Sequence, residues 1–274
     1  MDLNLVVQGK LVNMNDDTPD SLTEAERTEI VRNKGAENGL FRAVMDTIKH
    51  SHTVGQKLRT AFVLSGVFSD EMLYAELLTQ FFVTTACFEE LLEKQKPTSL
   101  TKLTYAFSSE YSADLRHLLG PSYKQKTEEL ASNAAKDYID LIKAHGKTEF
   151  SEESLVAAAM ILWGPLIIGG GAAMFPRVKK SYGAEATHVF HPVIGAGRQQ
   201  RRRDFIKVVD EAGKNLNFNK IVEFSKCYME KNNAMMIMVK RRPFWFKWVI
   251  GAGISTVITI LLGSLRKGDG NRVK

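Results

Sequence analysis

The sequence predicts an all-α fold, a multi-helix bundle followed by a single C-terminal transmembrane helix. Apolar residues recur at helical spacing along most of the chain, whereas alternating strand patterns are scarce. The 274 residues are 44% hydrophobic and 25% charged, a composition that suits one globular domain with added segments. An uncharged run near the C-terminus, residues 248–265, supplies the membrane helix.

We divide the chain into four segments. Residues 1–35 are a flexible lead-in containing one short helix, which the Ser21–Glu24 capping box opens. Residues 36–240 form the helical domain, 244–265 a transmembrane tail anchor, and 266–274 a short basic tail. The first twenty residues lack the long apolar core of a secretory signal peptide, so we expect the helical domain in the cytosol.

The helical domain begins with two predicted helices, which follow the glycines at positions 35 and 39. The first is predicted from Gly39 to Ser65, and its apolar positions step by three and four residues. This spacing puts His52 on the apolar face and His50 on the opposite one. The second helix begins at the Ser69–Glu71 cap and ends near Lys94, before Pro97.

The remaining segments alternate between helix and interruption. We expect an irregular stretch at residues 97–119 and a helix at 124–144. A long apolar helix is predicted from residue 155 into the glycines at 169–171, ended by Pro176 and Gly183. A loop follows at 188–197 and an amphipathic helix pair at 198–239.

The C-terminal run of 18 uncharged residues is at the lower limit for crossing about 30 Å of hydrocarbon. Aromatic residues precede it, and basic residues bracket it at 240–242 and 266–267. A buried core helix is the alternative interpretation. The basic brackets favour a tail anchor.

The formal net charge is +6, and much of the basic excess follows residue 177. Such patches suit acidic proteins, phosphates, anionic lipid or the carboxylates of a ligand. The sequence contains no zinc-ligand spacing, phosphate-binding loop or dinucleotide fingerprint. The basic runs also lack the aromatic interleaving of a nucleic-acid binder, so we expect no nucleic-acid partner.

The most informative pattern is the glycine cluster in Trp163–Gly171, taken together with His52. Each glycine inside a helix is less favourable than alanine by about 1 kcal/mol, so three in a row indicate that something must approach the backbone closely. The pair suggests a flat cofactor between two helices, with haem as the leading candidate. Tight helix packing and an ordinary core histidine are the alternatives.

Several segments resemble the haem oxygenase family. Ile48–Thr53 resembles the helix carrying the family's proximal histidine, and Phe88–Leu91 resembles the acidic end of its second helix. Gly120–Tyr123 resembles its Tyr-Gly-Pro turn. Residues 155–171 align without a gap to the family's Leu-Val-Ala-His-Ala segment and its following Gly-Asp-Leu-Ser-Gly-Gly.

The resemblance implies positions for a bound haem. His52 would ligate the iron, and the glycines that let the distal helix lie close to the haem face would take part in catalysis. Arg198 and Arg202 would face a haem propionate, and Lys49 would lie near the haem edge. The predicted site residues are therefore His52, Gly169, Gly170, Lys49, Arg198 and Arg202.

The resemblance also implies an activity and its partners. Family members use dioxygen, and electrons from an NADPH-cytochrome P-450 reductase-type donor, to open haem to biliverdin, ferrous iron and carbon monoxide. Animal and fungal members are tail-anchored in the endoplasmic reticulum membrane with a cytosolic catalytic domain. We expect the same location here, or another internal membrane.

Three positions depart from the family. The distal Gly-Asp pair is Pro165–Leu166, a basic residue seven places before the proximal histidine is Met45, and the distal histidine is Ala158. Three hypotheses follow: a haem oxygenase, narrowly preferred; a catalytically impaired haem-binding or haem-sensing protein; and a haem-free membrane-anchored adaptor.

Overall fold

The computed structural model describes residues 4–7, 10–13, 39–64 and 66–239. Eleven helices lie within these ranges and confirm the all-α class of the domain. They are α1 (Leu40–Thr47), α2 (Lys49–Leu64), α3 (Glu71–Gln95), α4 (Phe107–Leu119), α5 (Tyr123–Leu130), α6 (Asn133–His145), α7 (Ser151–Leu162), α8 (Gly164–Ile167), α9 (Gly171–Tyr182), α10 (Arg198–Asn215) and α11 (Phe218–Ile237).

A two-stranded antiparallel hairpin precedes the domain. Strand β1 (Asn4–Val7) pairs with β2 (Lys10–Asn13), with Leu5 opposite Val12. The flexible lead-in predicted here is wrong for these residues, whose valines at positions 6, 7 and 12 favour paired strands. The predicted helix at residues 21–24 and the predicted tail anchor lie outside the described residues.

No helix in the described part of the chain combines the length and apolarity needed to cross a membrane.

The core is organised around α7, α3 and α11. Residues 153–162 of α7 are all buried, and this helix packs against α3 and α11. A helix that is apolar on all sides belongs in the middle of a bundle. The N-terminal pair α1 and α2 packs on α11, and α10 packs on α1 and α8.

The predicted first two helices are confirmed, with one addition. The first is divided at Ile48, where α1 ends and α2 begins. The second, α3, begins at the predicted cap, where the Asp70 carboxylate accepts a hydrogen bond of 3.0 Å from the Leu73 amide.

Three predicted boundaries are wrong. The stretch expected to be irregular contains α4, whose N-terminal amides at Phe107 and Ser108 donate to the Glu89 carboxylate. The helix predicted at 124–144 is two helices, because Ser132 caps a new start at α6. Helix α9 continues through Pro176 and ends only at Gly183, whose φ is +88°.

Candidate functional site

A cavity of about 200 Å³ lies between α2 and the segment that joins α7 to α9. His52 on α2 lines one side, and Gly164, Gly169 and Gly170 line the other. The structure therefore brings together the histidine and the glycine cluster that the sequence pairs. Helices α1 and α11 complete the wall with apolar side chains, among them Met45 and Met229.

His52 is half-buried, and its imidazole has no hydrogen-bond or ion-pair partner among the residues that the structure describes. Burial, and secondly the positive charge of Arg59, lower the pKa of its imidazole. The ring is therefore neutral at pH 7, with a nitrogen lone pair available to a metal. His50 is exposed and does not line the cavity, as the helical spacing predicts.

The helix is interrupted at Trp163 because Pro165 has no N–H to donate to the Ile161 carbonyl. Helix α7 ends at Leu162, and the four-residue helix α8 begins at Gly164. The Trp163 indole anchors the break. Its Nε1 donates to Glu89 Oε1 at 3.0 Å, and its ring meets the Phe88 ring edge-on at 5.0 Å between centroids.

The glycines of this segment have two different roles. A Cβ at Gly164 or Gly170 would meet nothing within 4 Å, so their missing side chains leave open space at the cavity wall. A Cβ at Gly169 would lie 2.7 Å from the Pro165 carbonyl oxygen. Gly169 is therefore required by the fold of the turn, whereas Gly170 leaves room for a ligand.

The wall facing His52 carries no side chain that can donate a proton. Between residues 160 and 170, the lining residues are Met160, Ile161, Pro165, Ile168 and the three glycines. Leu166 is buried and lines a smaller adjoining cavity. Ala158 is fully buried away from both cavities. This wall is apolar along its whole length.

Three polar residues on the cavity wall were not predicted from the sequence: Gln56, which is exposed, Arg59 and Asn232. Arg59 lies seven residues after His52, on the same face of α2. This helical spacing alone predicts that both residues line the same cavity. Asn232 on α11 is buried, and its Oδ1 has no hydrogen-bond partner among the described residues. No local pattern identifies Asn232, because its position depends on how α11 packs.

The predicted basic contacts do not lie on the cavity wall. Lys49, Arg198 and Arg202 are all exposed, and none lines either cavity. Arg201 is the member of the α10 run that turns inward, and its guanidinium donates to the Ile194 carbonyl at 2.7 Å. Met45, at the position where the resemblance expects a basic residue, lines the main cavity.

No family model matches the sequence, and no curated protein matches it either. Solved structures do match the fold. Haem oxygenase 2 of Chlamydomonas reinhardtii, solved without haem, has a TM-score of 0.63 at 22% identity, over 74% of this chain and 98% of that one.

Two cyanobacterial proteins from Synechocystis give similar matches. Haem oxygenase-2, in complex with haem and NO, has a TM-score of 0.63 at 17% identity, over 74% of this chain and 85% of that one. Haem oxygenase-1, in complex with haem, has a TM-score of 0.60 at 16% identity, over 83% of this chain and 99% of that one. The described domain therefore has the haem oxygenase fold.

Proposed function

We propose that this protein binds haem in the main cavity, with His52 as the iron ligand, and that it opens the ring slowly or not at all. One observation carries the proposal. An unpartnered, neutral imidazole faces a glycine-lined, otherwise apolar wall within a single cavity. Solved proteins of the same fold hold haem.

The chemistry of the lining residues suits haem. A neutral imidazole is a common axial ligand of haem iron, and the open space at Gly164 and Gly170 admits a flat ring close to the backbone. The Arg59 guanidinium and the unpartnered Asn232 Oδ1 offer polar contacts to the edge of such a ligand. Exposed Arg198 and Arg202 remain predicted contacts for a propionate, and exposed Lys49 a predicted contact near the haem edge.

We place haem binding ahead of ring opening because the wall that faces His52 is apolar. Bound haem supplies the redox chemistry, and the protein must supply oriented hydrogen bonds and protons. The lining residues from 160 to 170 offer only backbone groups for this purpose. The Ile161 carbonyl, which Pro165 cannot satisfy, can accept a hydrogen bond but cannot donate one.

The first test is a haem titration of the full-length chain and two variants. We expect His52→Ala to lower haem affinity at least tenfold and to change the Soret spectrum, because the iron loses its protein ligand. His50→Ala is the matched control, since His50 is exposed on the same helix. Identical spectra and affinities for both variants would contradict the assignment of His52.

The second test separates binding from catalysis. Haem-loaded protein is supplied with a reductase, NADPH and air, and its absorbance is followed. We expect the Soret band to persist without biliverdin formation. A biliverdin yield equal to that of an assayed haem oxygenase would replace our proposal with the second candidate, a haem oxygenase, which the shared fold favours. Its reductase and membrane anchor remain predictions.

A further inference from the structure

A second, smaller cavity of about 120 Å³ adjoins the main one. The two share five lining residues: Arg59, Phe81, Pro165, Gly170 and Met236. The remaining wall of the smaller cavity is apolar, and four aromatic rings stand among its aliphatic side chains: Phe62, Tyr74, Tyr111 and Phe190. The cavity therefore favours a small aromatic group, and Arg59 lies at its junction with the main cavity.

Arg59 has no counter-ion in the described part of the chain. No carboxylate, hydroxyl or carbonyl oxygen among those residues accepts a hydrogen bond from its guanidinium. Its side chain is half-buried, and this burial lowers the pKa of the guanidinium. A partly buried cation without a partner is unfavourable, and a bound anion would relieve that cost.

Tyr74 provides a second unsatisfied polar group on the same cavity. Its side chain is 2% exposed, and its hydroxyl has no hydrogen-bond partner among the described residues. The Tyr182 ring stacks on it at 5.0 Å between centroids, which holds the Tyr74 ring in place. Buried hydroxyls are normally satisfied, so this one indicates a missing polar contact.

We propose that the smaller cavity binds a small aryl carboxylate, with its ring among the aromatic side chains and its carboxylate paired with Arg59. Arginine binds carboxylates through two parallel hydrogen bonds. An apolar cavity of roughly 150 Å³ accommodates benzene, so about 120 Å³ suits a ligand body near the size of one ring. This site does not depend on haem binding.

The test measures phenylacetate binding to the full-length, haem-free chain by isothermal titration calorimetry. The neutral analogue 2-phenylethanol has a similar ring and chain but no charge. We expect saturable one-to-one binding of phenylacetate and at least tenfold weaker binding of the alcohol. Absence of phenylacetate binding, or equal affinity for the alcohol, would overturn the proposal.

Two variants and one control assign the binding to this cavity. Arg59→Gln should weaken phenylacetate binding at least tenfold and leave 2-phenylethanol binding unchanged. Val63→Phe, at a half-buried position lining only the smaller cavity, should weaken both. Lys57→Gln, an equal charge change on the exposed face of α2, should alter neither. Circular dichroism confirms that each variant is folded.

Haem affinity is scored separately on the same variants. If Arg59→Gln weakens haem binding while phenylacetate affinity is unchanged, Arg59 serves the haem site and the second site is excluded. If haem fails to bind the wild-type chain but phenylacetate binding requires Arg59, the function proposed above fails and this inference stands. The two proposals therefore fail on different measurements.

Discussion

At the scale of single residues, one face of α2 carries the polar groups of the site. His52, Gly55 and Arg59 follow each other at helical spacing, and all three line the main cavity. Gly55 also permits close packing, because a Cβ there would lie 2.8 Å from the Asn233 side-chain oxygen. The same short segment therefore positions the proposed iron ligand, a cation and a helix contact.

Alanine substitutions at the adjacent residues Gly169 and Gly170 are expected to have different effects. Gly170→Ala should leave thermal stability nearly unchanged, because its Cβ enters open space, and should weaken haem binding about tenfold by filling the cavity wall. Gly169→Ala should lower the free energy of unfolding by about 1–3 kcal/mol, because its Cβ overlaps the Pro165 carbonyl. Thermal melts and haem titrations of both variants check this. The reverse pattern would contradict it.

At the scale of elements, carboxylates on one helix secure the start of another. Glu89 on α3 accepts hydrogen bonds from the Phe107 and Ser108 amides, which are otherwise unpaired at the start of α4, and from the Trp163 indole. In the same way, Asp114 on α4 accepts from the His188 and Val189 amides. Glu89 therefore connects α3 to the broken helix that lines the main cavity, and Asp114 connects α4 to Val189, which lines the smaller cavity.

We predict a pH-dependent contribution from Glu89. Burial raises the pKa of its carboxyl in spite of the hydrogen bonds that oppose the shift, so the folded state binds this proton more tightly than the unfolded chain. The Glu89 contribution to the free energy of unfolding therefore increases as pH falls through the folded-state pKa, and it is complete below the unfolded value of about 4.5.

Urea unfolding of wild type and Glu89→Gln between pH 4 and 7 checks the sign. Glu89→Gln should be less stable at every pH, by about 1–3 kcal/mol, because its amide cannot satisfy all four donors, which are the Phe107 and Ser108 amides, the Ser108 hydroxyl and the Trp163 indole. The gap should widen towards acid. Glu90→Gln is the control with the opposite trend, because Lys94 lowers the pKa of exposed Glu90. A gap at Glu89 that narrows towards acid would contradict the prediction.

At the scale of the whole molecule, the site lies between parts of the chain that are distant in sequence. The α1–α2 pair, the α7–α9 break and α11 each contribute to one cavity. A ligand held there contacts all three, so its binding should stabilise the whole domain rather than one helix.

We therefore predict that haem raises the melting temperature of the full-length chain. At a free haem concentration about 100 times Kd, the folded state gains about 2.7 kcal/mol. For a domain of this size, that gain shifts the melting temperature by roughly 5–10 °C. Thermal unfolding followed by circular dichroism measures the shift. His52→Ala should abolish most of it, and an unchanged melting temperature in wild type would contradict haem binding.

Much of the helix order was predictable because helical periodicity and caps are local signals. The face of α2 that carries His52, the Asp70 cap and the final helix pair all follow from such spacing. Helix α4 was missed because its N-terminus is satisfied by Glu89, a residue of another helix. The break at Ser132 was missed although its capping side chain is visible in the sequence.

By itself, the sequence determined the all-α class, the presence of a glycine-rich break after α7 and the one histidine on an apolar face near the N-terminus of the domain. Only the tertiary structure decided that His52 and Gly170 line one cavity, that Arg59 lies there with no counter-ion among the described residues, and that Lys49, Arg198 and Arg202 are exposed. Periodicity specifies which face of a helix is buried. Which residues meet across the core depends on how distant helices pack.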